Sequence, residues 1–174
     1  MIIMIYEPGE DSFLIGNFLK DLCKNKSVLD VGAGSGYLAE IAMKNGARKV
    51  DAIDINEESV DVCKKKGIHA WQSDLFSNVE DSYDLIVFNP PYLPKDLDED
   101  EESALITTGG ERGSEILERF FLDVRNYLNE KGKILIVISS LTGVDNLLFD
   151  GFDFKLLGKK KLFFETLKVY LLGS

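Results

Sequence analysis

Short apolar runs alternate with amphipathic stretches along this chain, in the rhythm of strand and helix units. Val28 to Val31 is apolar apart from Asp30 and breaks at Gly32-Ala33-Gly34-Ser35-Gly36, after which Tyr37 to Lys44 has helical character. That is a strand, a glycine turn and a helix. Val50 to Ile55 is predicted as a second strand, with Asp54 at its end. Asn56 then caps a helix that carries Glu57 and Glu58 in its first turn and Lys64-Lys65-Lys66-Gly67 at its end, the charge order that suits a helix dipole. Ile68 to Gln72 reads as a short third strand, and Tyr83 to Phe88 is apolar enough for a central strand covered on both faces. Residues 93–113 are a polar, acidic excursion of a length that compact domains keep for function or flexibility. Helix resumes over Ser114 to Leu128, and Gly132 leads into a fifth strand at Ile134 to Ile138. Leu141 to Phe149 is a weak helix, and Phe152 to Leu157 with Phe163 to Leu172 makes a hairpin across Lys159-Lys160-Lys161. Such a series predicts an α/β fold: a mostly parallel, doubly wound sheet of seven strands, with helices on both faces and one antiparallel strand near an edge.

At 174 residues the chain is expected to form a single domain over residues 1–174. Hydrophobic residues make up 45% and charged residues 29%, the balance of a globular protein rather than a disordered one. Thirty acidic residues against twenty basic ones give a net charge of −10, which repels a phosphate backbone, so no direct nucleic-acid binding is expected. Cys23 and Cys63 are too few for a zinc site or a disulfide framework, so no metal is expected and a reducing, cytoplasmic setting is. The chain shows neither a membrane-length apolar run nor the flank and length of a signal peptide.

Candidate chemistry begins at the glycine turn. In doubly wound folds a ligand lies across the carboxyl ends of the strands, and glycines after the first strand let it approach the backbone. Gly32, Gly34 and Gly36 are spaced G-x-G-x-G, whereas a dinucleotide fingerprint would place its third glycine where Tyr37 stands. Asp54 is positioned to accept hydrogen bonds from both hydroxyls of a ribose, and Asp74-Leu75 to hold an adenine between a carboxylate and an apolar face. Asn89-Pro90-Pro91-Tyr92 follows the central strand, and its two prolines stiffen the turn. There the Asn89 side-chain oxygen and the Pro90 carbonyl, both acceptors, can grip a planar NH₂ group while Tyr92 stacks on its face. Orientation of that nitrogen toward an electrophilic methyl would supply much of the rate, with no strong base required.

These residues resemble the class I S-adenosylmethionine-dependent methyltransferases, and within them the HemK-type protein glutamine methyltransferases. The resemblance spans nearly the whole chain. It rests on Tyr6-Glu7-Pro8-Gly9-Glu10-Asp11-Ser12-Phe13, Asp30-Val31-Gly32-Ala33-Gly34-Ser35-Gly36, Asp54-Ile55-Asn56, Asp74-Leu75 and Asn89-Pro90-Pro91-Tyr92. Thr108-Gly109-Gly110-Glu111-Arg112-Gly113 and Glu165-Thr166-Leu167 look like later blocks of the family, and Gly9 stands where the family usually has alanine. No room precedes Tyr6 for the N-terminal helical domain of the bacterial members, so the chain looks like the compact archaeal and eukaryotic branch. The resemblance implies a Rossmann-like fold, S-adenosyl-L-methionine as cofactor, and methylation of the glutamine amide in the Gly-Gly-Gln motif of a class I translation release factor. It also implies a small zinc-binding activator subunit, hence a heterodimer. Residue by residue, Ser12 contacts the cofactor near its methionine end, Asp30 with Gly32 lines the methionine moiety, Asp54 takes the ribose, and Asp74 with Leu75 takes the adenine. Asn89, which also touches the cofactor, is the catalytic clamp with Pro90 and Tyr92.

Plainer readings stand beside these. Ser12 can cap the helix that follows it, and Asp30 can accept from loop amides. His69, the sole histidine, reads as a strand-surface residue, and the acidic run 96–102 as a solvated lip with a minor substrate-steering role. Asp54→Ala is expected to weaken cofactor binding and leave the fold intact. Rival functions are an adenine methyltransferase acting on DNA or RNA, a protein lysine methyltransferase, and a scaffold without chemistry. The third strand, at the sheet edge, is the expected docking edge for the activator.

Overall fold

The computed structural model describes residues 7–91, 114–142 and 149–173. Helix α1 (Glu10–Leu22) starts from Gly9 in extended conformation, with Glu10 and Asp11 in its first turn, and turns Ile15 and Leu19 inward. β1 (Ser27–Val31) leads through the glycine turn to α2 (Tyr37–Lys44), and β2 (Lys49–Asp54) leads to α3 (Glu57–Lys65). The Asn56 side chain caps α3 by accepting from the Glu58 N–H at 2.8 Å. Beyond α3 follow β3 (His69–Gln72) and β4 (Tyr83–Phe88). Helix α4 (Glu115–Asp123), a 3₁₀ turn at Val124–Tyr127, β5 (Leu128–Ser139), a 3₁₀ turn at Ser140–Thr142, β6 (Asp153–Lys161) and β7 (Thr166–Gly173) complete the described elements.

The seven strands form one sheet in the order β3-β2-β1-β4-β5-β7-β6, parallel except that β7 runs against both its neighbours. The expected α/β doubly wound architecture is therefore present. The chain winds outward from β1 through β2 to β3, then crosses back to place β4 on the other side of β1. Strand order reverses at β1 and β4, which opens a crevice at their carboxyl ends.

Alternation along the strands builds the two sides of the core. Leu29, Val31, Ile86, Phe88, Ile134 and Ile136 face Leu117 and Phe120 of α4, while Val28, Leu85, Val87, Leu135 and Val137 face Ile15 and Leu19 of α1 and Leu38 and Ala42 of α2. A smaller cluster packs Val60 and Cys63 of α3 on Ala52 and Ala70.

Four expectations are corrected. The helix expected over Ser114 to Leu128 ends at Asp123, because Leu128 already pairs with Tyr83 and the four residues between tighten into a 3₁₀ turn. The fifth strand begins at Leu128 rather than Ile134, and irregular pairing between Tyr83 and Leu85 absorbs the extra residues. Lys159-Lys160-Lys161 lie inside β6, and the hairpin turns at 162–165, where the Leu162 N–H donates to the Glu165 carbonyl at 2.8 Å. Ser12 does not cap α1, since it sits inside the helix and Gly9 is the N-cap. Of the weak helix at Leu141 to Phe149, Ser140–Thr142 is a 3₁₀ turn and residues 143–148 lie outside the described part. The acidic run 96–102, the block at 108–113, Tyr6 and Tyr92 also lie outside it.

Candidate active site

Because Val31 pairs with Phe88, the chain leaves β1 at Gly32 and β4 at Asn89 side by side. Gly32, Gly34 and Gly36 all adopt positive φ, at 65°, 52° and 78°. Their roles differ. A Cβ on Gly36 would press on Ile68 and Cys63 at 3.0 and 3.1 Å, so this glycine serves the packing of α2 on its neighbours. Gly32 is exposed and presents bare backbone to the crevice.

Asp54 tightens that turn. Its Oδ2 accepts from the Gly34 N–H and its Oδ1 from the Asn56 N–H, both at 2.8 Å. Burial raises its pKa, and the amides of Asn56, Gly34 and Ile55 oppose the rise. These bonds tie the β1 turn to the end of β2, a contact beyond the ribose role expected of Asp54.

Asp30, 1% exposed, accepts from the Ala39 N–H with Oδ2 at 3.0 Å and has no partner for Oδ1. Burial pushes its pKa up to about 7, the Ala39 bond resisting and the nearby Asp54 assisting. The amide that Asp30 meets belongs to the first turn of α2 and not to a loop, and one oxygen is left over. Ser12 is buried in α1, and its Oγ accepts from Asn89 Nδ2 at 3.2 Å, which sets the orientation of the Asn89 amide. Asn89 Oδ1 is buried without a partner. The structure thus brings Ser12 to Asn89 across 77 positions of sequence, a juxtaposition no spacing rule could have found.

Asp74 and Leu75 follow β3 at the same end of the sheet. Asp74 pairs with Arg119 of α4 at 2.8 Å, a contact sequence reasoning missed, and Leu75 holds an unusual φ of 49° while packing against the core. Pro90 is buried beside Asn89. His69 lies away from this site: its Nδ1 meets buried Asp51 at 2.9 Å, and Asp51 also accepts from Tyr83 at 2.7 Å and from Lys49 at 2.9 Å. Among the described residues no group of three or more His, Cys, Asp or Glu side chains could hold a metal ion, and no helix is long and apolar enough to cross a membrane.

Two orphaned buried acceptors, Asp30 Oδ1 and Asn89 Oδ1, flank an exposed positive-φ glycine at the switch point. A cationic ligand bearing hydrogen-bond donors, placed along bare backbone, fits this donor and acceptor pattern.

The family model for the methyltransferase small domain matches residues 10–166. A Methanocaldococcus jannaschii protein, MJ0928, provisionally named a protein N5-glutamine methyltransferase, is 41% identical over 95% of this chain and 89% of its own length. The release factor glutamine methyltransferase of Streptococcus pneumoniae is 32% identical over 81% of this chain, which spans only 56% of that longer protein. Among solved structures, the E. cuniculi Mtq2–Trm112 complex, described as methylating the eRF1 translation termination factor, contains a chain that superposes with a TM-score of 0.79. That likeness covers 98% of both chains at 25% identity. The chain belongs to the methyltransferase small domain family and is, within it, a HemK-type methyltransferase that uses S-adenosylmethionine.

Proposed function

We propose that residues 1–174 act as one domain that methylates the side-chain amide nitrogen of glutamine in the Gly-Gly-Gln motif of a class I translation release factor. The observation that carries this reading is Asn89: its Nδ2 is held by Ser12, and its Oδ1 is buried and unpartnered at the switch point. An acceptor held that way lacks a donor, and a substrate NH₂ group supplies one. The names of MJ0928 and of the streptococcal relative, and the reported action of the Mtq2–Trm112 complex, support glutamine and a termination factor as the substrate class.

In this reading Asp30 and Gly32 line the methionine moiety of the cofactor, with Ser12 close by, Asp54 binds the ribose, and Asp74 with Leu75 takes the adenine. Asn89 borders both cofactor and substrate. Bound S-adenosylmethionine supplies an electrophilic methyl on a sulfonium. Asn89 Oδ1 and the Pro90 carbonyl accept from the two N–H bonds of the glutamine amide and orient its nitrogen, and Tyr92 stacks on the amide plane. The nitrogen would gain a methyl group as the methyl–sulfur bond breaks to leave a neutral thioether, and would give up one proton to solvent. Rate then comes chiefly from orientation.

The reading includes a partner, since the Mtq2–Trm112 complex supports a small subunit. Here that subunit, of zinc-binding type, pairs with the edge strand β3, and the chain alone is poorly soluble or weakly active. Two buried free cysteines suit a cytoplasmic enzyme.

The test uses labelled cofactor with four acceptors: a release factor, the same factor with its Gly-Gly-Gln glutamine replaced, an adenine-containing nucleic acid, and a lysine-rich protein. Label on the intact factor alone is expected, and Asn89→Ala should abolish it while calorimetric cofactor affinity stays within a few-fold. Label on adenine or lysine instead, or a fully active Asn89→Ala, would overturn the reading.

A further inference from the structure

Four of the large apolar side chains left exposed among the described residues follow the carboxyl ends of strands: Ile55, Leu141, Phe163 and Phe164. The last two are the extremes, at 92% and 84% exposed. They form the tip of the β6–β7 hairpin, and this tip is tightly built. Their rings meet edge-on at 4.7 Å. Beneath them Ser139 Oγ donates to the Glu165 carboxylate and accepts from the Leu141 N–H at 3.1 Å, while the Thr166 N–H donates to Ser140 Oγ at 2.9 Å. On the other side β6 lies against α1. Gly158 leaves the space that the Phe18 ring fills, a Cβ there falling 2.6 Å from that ring, and Lys160 pairs with Glu10. Glu165-Thr166-Leu167, a motif without a role in the cofactor site, thus anchors the turn that carries two solvent-exposed aromatic rings.

Register places the tip. Phe88 pairs with Ile136 and Ser139 with Leu167, so the hairpin turns at the same end of the sheet at which Asn89 leaves β4. The hairpin is also locally basic: residues 153–173 hold five lysines and two acidic residues in a chain whose net charge is −10. Two exposed aromatic rings on a hydrogen-bonded turn, at the end of the sheet where the reaction crevice opens, present an apolar surface to a partner with the backbone beneath them already ordered.

We propose that the Phe163–Phe164 tip is a docking element for the protein substrate, taking an apolar segment flanked by acidic residues on the protein whose glutamine enters at Asn89. The proposal rests on the protein-substrate reading above and deepens it. A nucleic acid would also meet lysines and aromatic rings, but the acidic body of the chain opposes it.

The test compares full-length wild type with F163S/F164S and F163L/F164L, with the small partner subunit added to every reaction, in methyl transfer to a class I release factor. For the serine variant KM should rise about tenfold or more with kcat retained, as loss of an aromatic anchor requires. The leucine variant should recover most of the affinity, and cofactor affinity by calorimetry and thermal melts should match wild type. An unchanged KM, a fall in kcat alone, or a loss confined to single-stranded RNA binding would overturn the docking role. Failure of wild type to label the factor would overturn the substrate reading itself, and this proposal with it.

Discussion

Asp54 holds the β1 turn and is also the residue proposed for the cofactor ribose. Its carboxylate already accepts from the Gly34 and Asn56 amides, so Asp54→Ala strips two partly buried hydrogen bonds of their acceptor. The variant should lose roughly 1–3 kcal/mol of stability as well as cofactor affinity, seen in urea unfolding and calorimetry. A stable variant with reduced affinity would instead confine Asp54 to the ribose. Asp30 makes a pH prediction. With its pKa lifted to about 7 by burial, the folded chain keeps a proton that the unfolded chain, near 3.8, releases. The folded state binds more protons between about pH 4 and 7, so this group lowers stability as pH rises through that window and adds no further slope above it. Asp30→Asn retains an oxygen for the Ala39 N–H and should flatten the change. The drop in urea midpoint from pH 5 to 7.5 is expected to be smaller in the variant than in wild type.

Strand β5 shows at the level of elements why boundaries slipped while element types held. Gly132 was placed as the entry to a strand, yet it sits within one, after Lys131 at a φ of 63°. A Cβ there would meet the Asn129 carbonyl at 2.8 Å and the Tyr83 carbonyl at 2.9 Å, and backbone cannot move aside as a side chain can. Gly132→Ala should therefore destabilise by about 1–3 kcal/mol, measured by urea unfolding, with the irregular pairing of β4 and β5 as the cause. The same neighbourhood shortens α4: Tyr127 stacks on Phe76 at 4.6 Å, and Leu128 is already in the sheet. Helical periodicity in 114–128 carried no sign of that stop.

For the whole molecule the sheet ends in two unlike edges, β3 and β6. β3 ends it on one side with four residues, where exposed His69 stacks near Trp71 and is held by buried Asp51. No described strand pairs beyond it, although the Gln72 carbonyl already accepts from Asn78 Nδ2 at 3.0 Å, and this edge can accept a strand from another chain. On co-expression with the partner subunit, hydrogen exchange should slow at residues 68–72. Protection confined to the β6–β7 hairpin at the opposite edge would refute the docking site.

Much of this protein was determined by its sequence alone. Strand and helix alternation specified a doubly wound sheet because burial on two faces and burial on one face leave different periods, and Gly36, Asn56 and Gly67 mark turns that backbone geometry makes readable locally. Asp30, Gly32, Asp54, Asp74 and Asn89 were legible because each stands at or just past the end of a strand, whereas Ser12 reaches the crevice from α1. Only the tertiary structure joined Ser12 to Asn89, left one oxygen of Asp30 and one of Asn89 unpaired, and engaged Asp54 with Gly34 and Asp74 with Arg119. Those facts depend on which side chains meet across distant elements, and on how deeply each is withdrawn from water. A linear pattern encodes neither, because packing sets both.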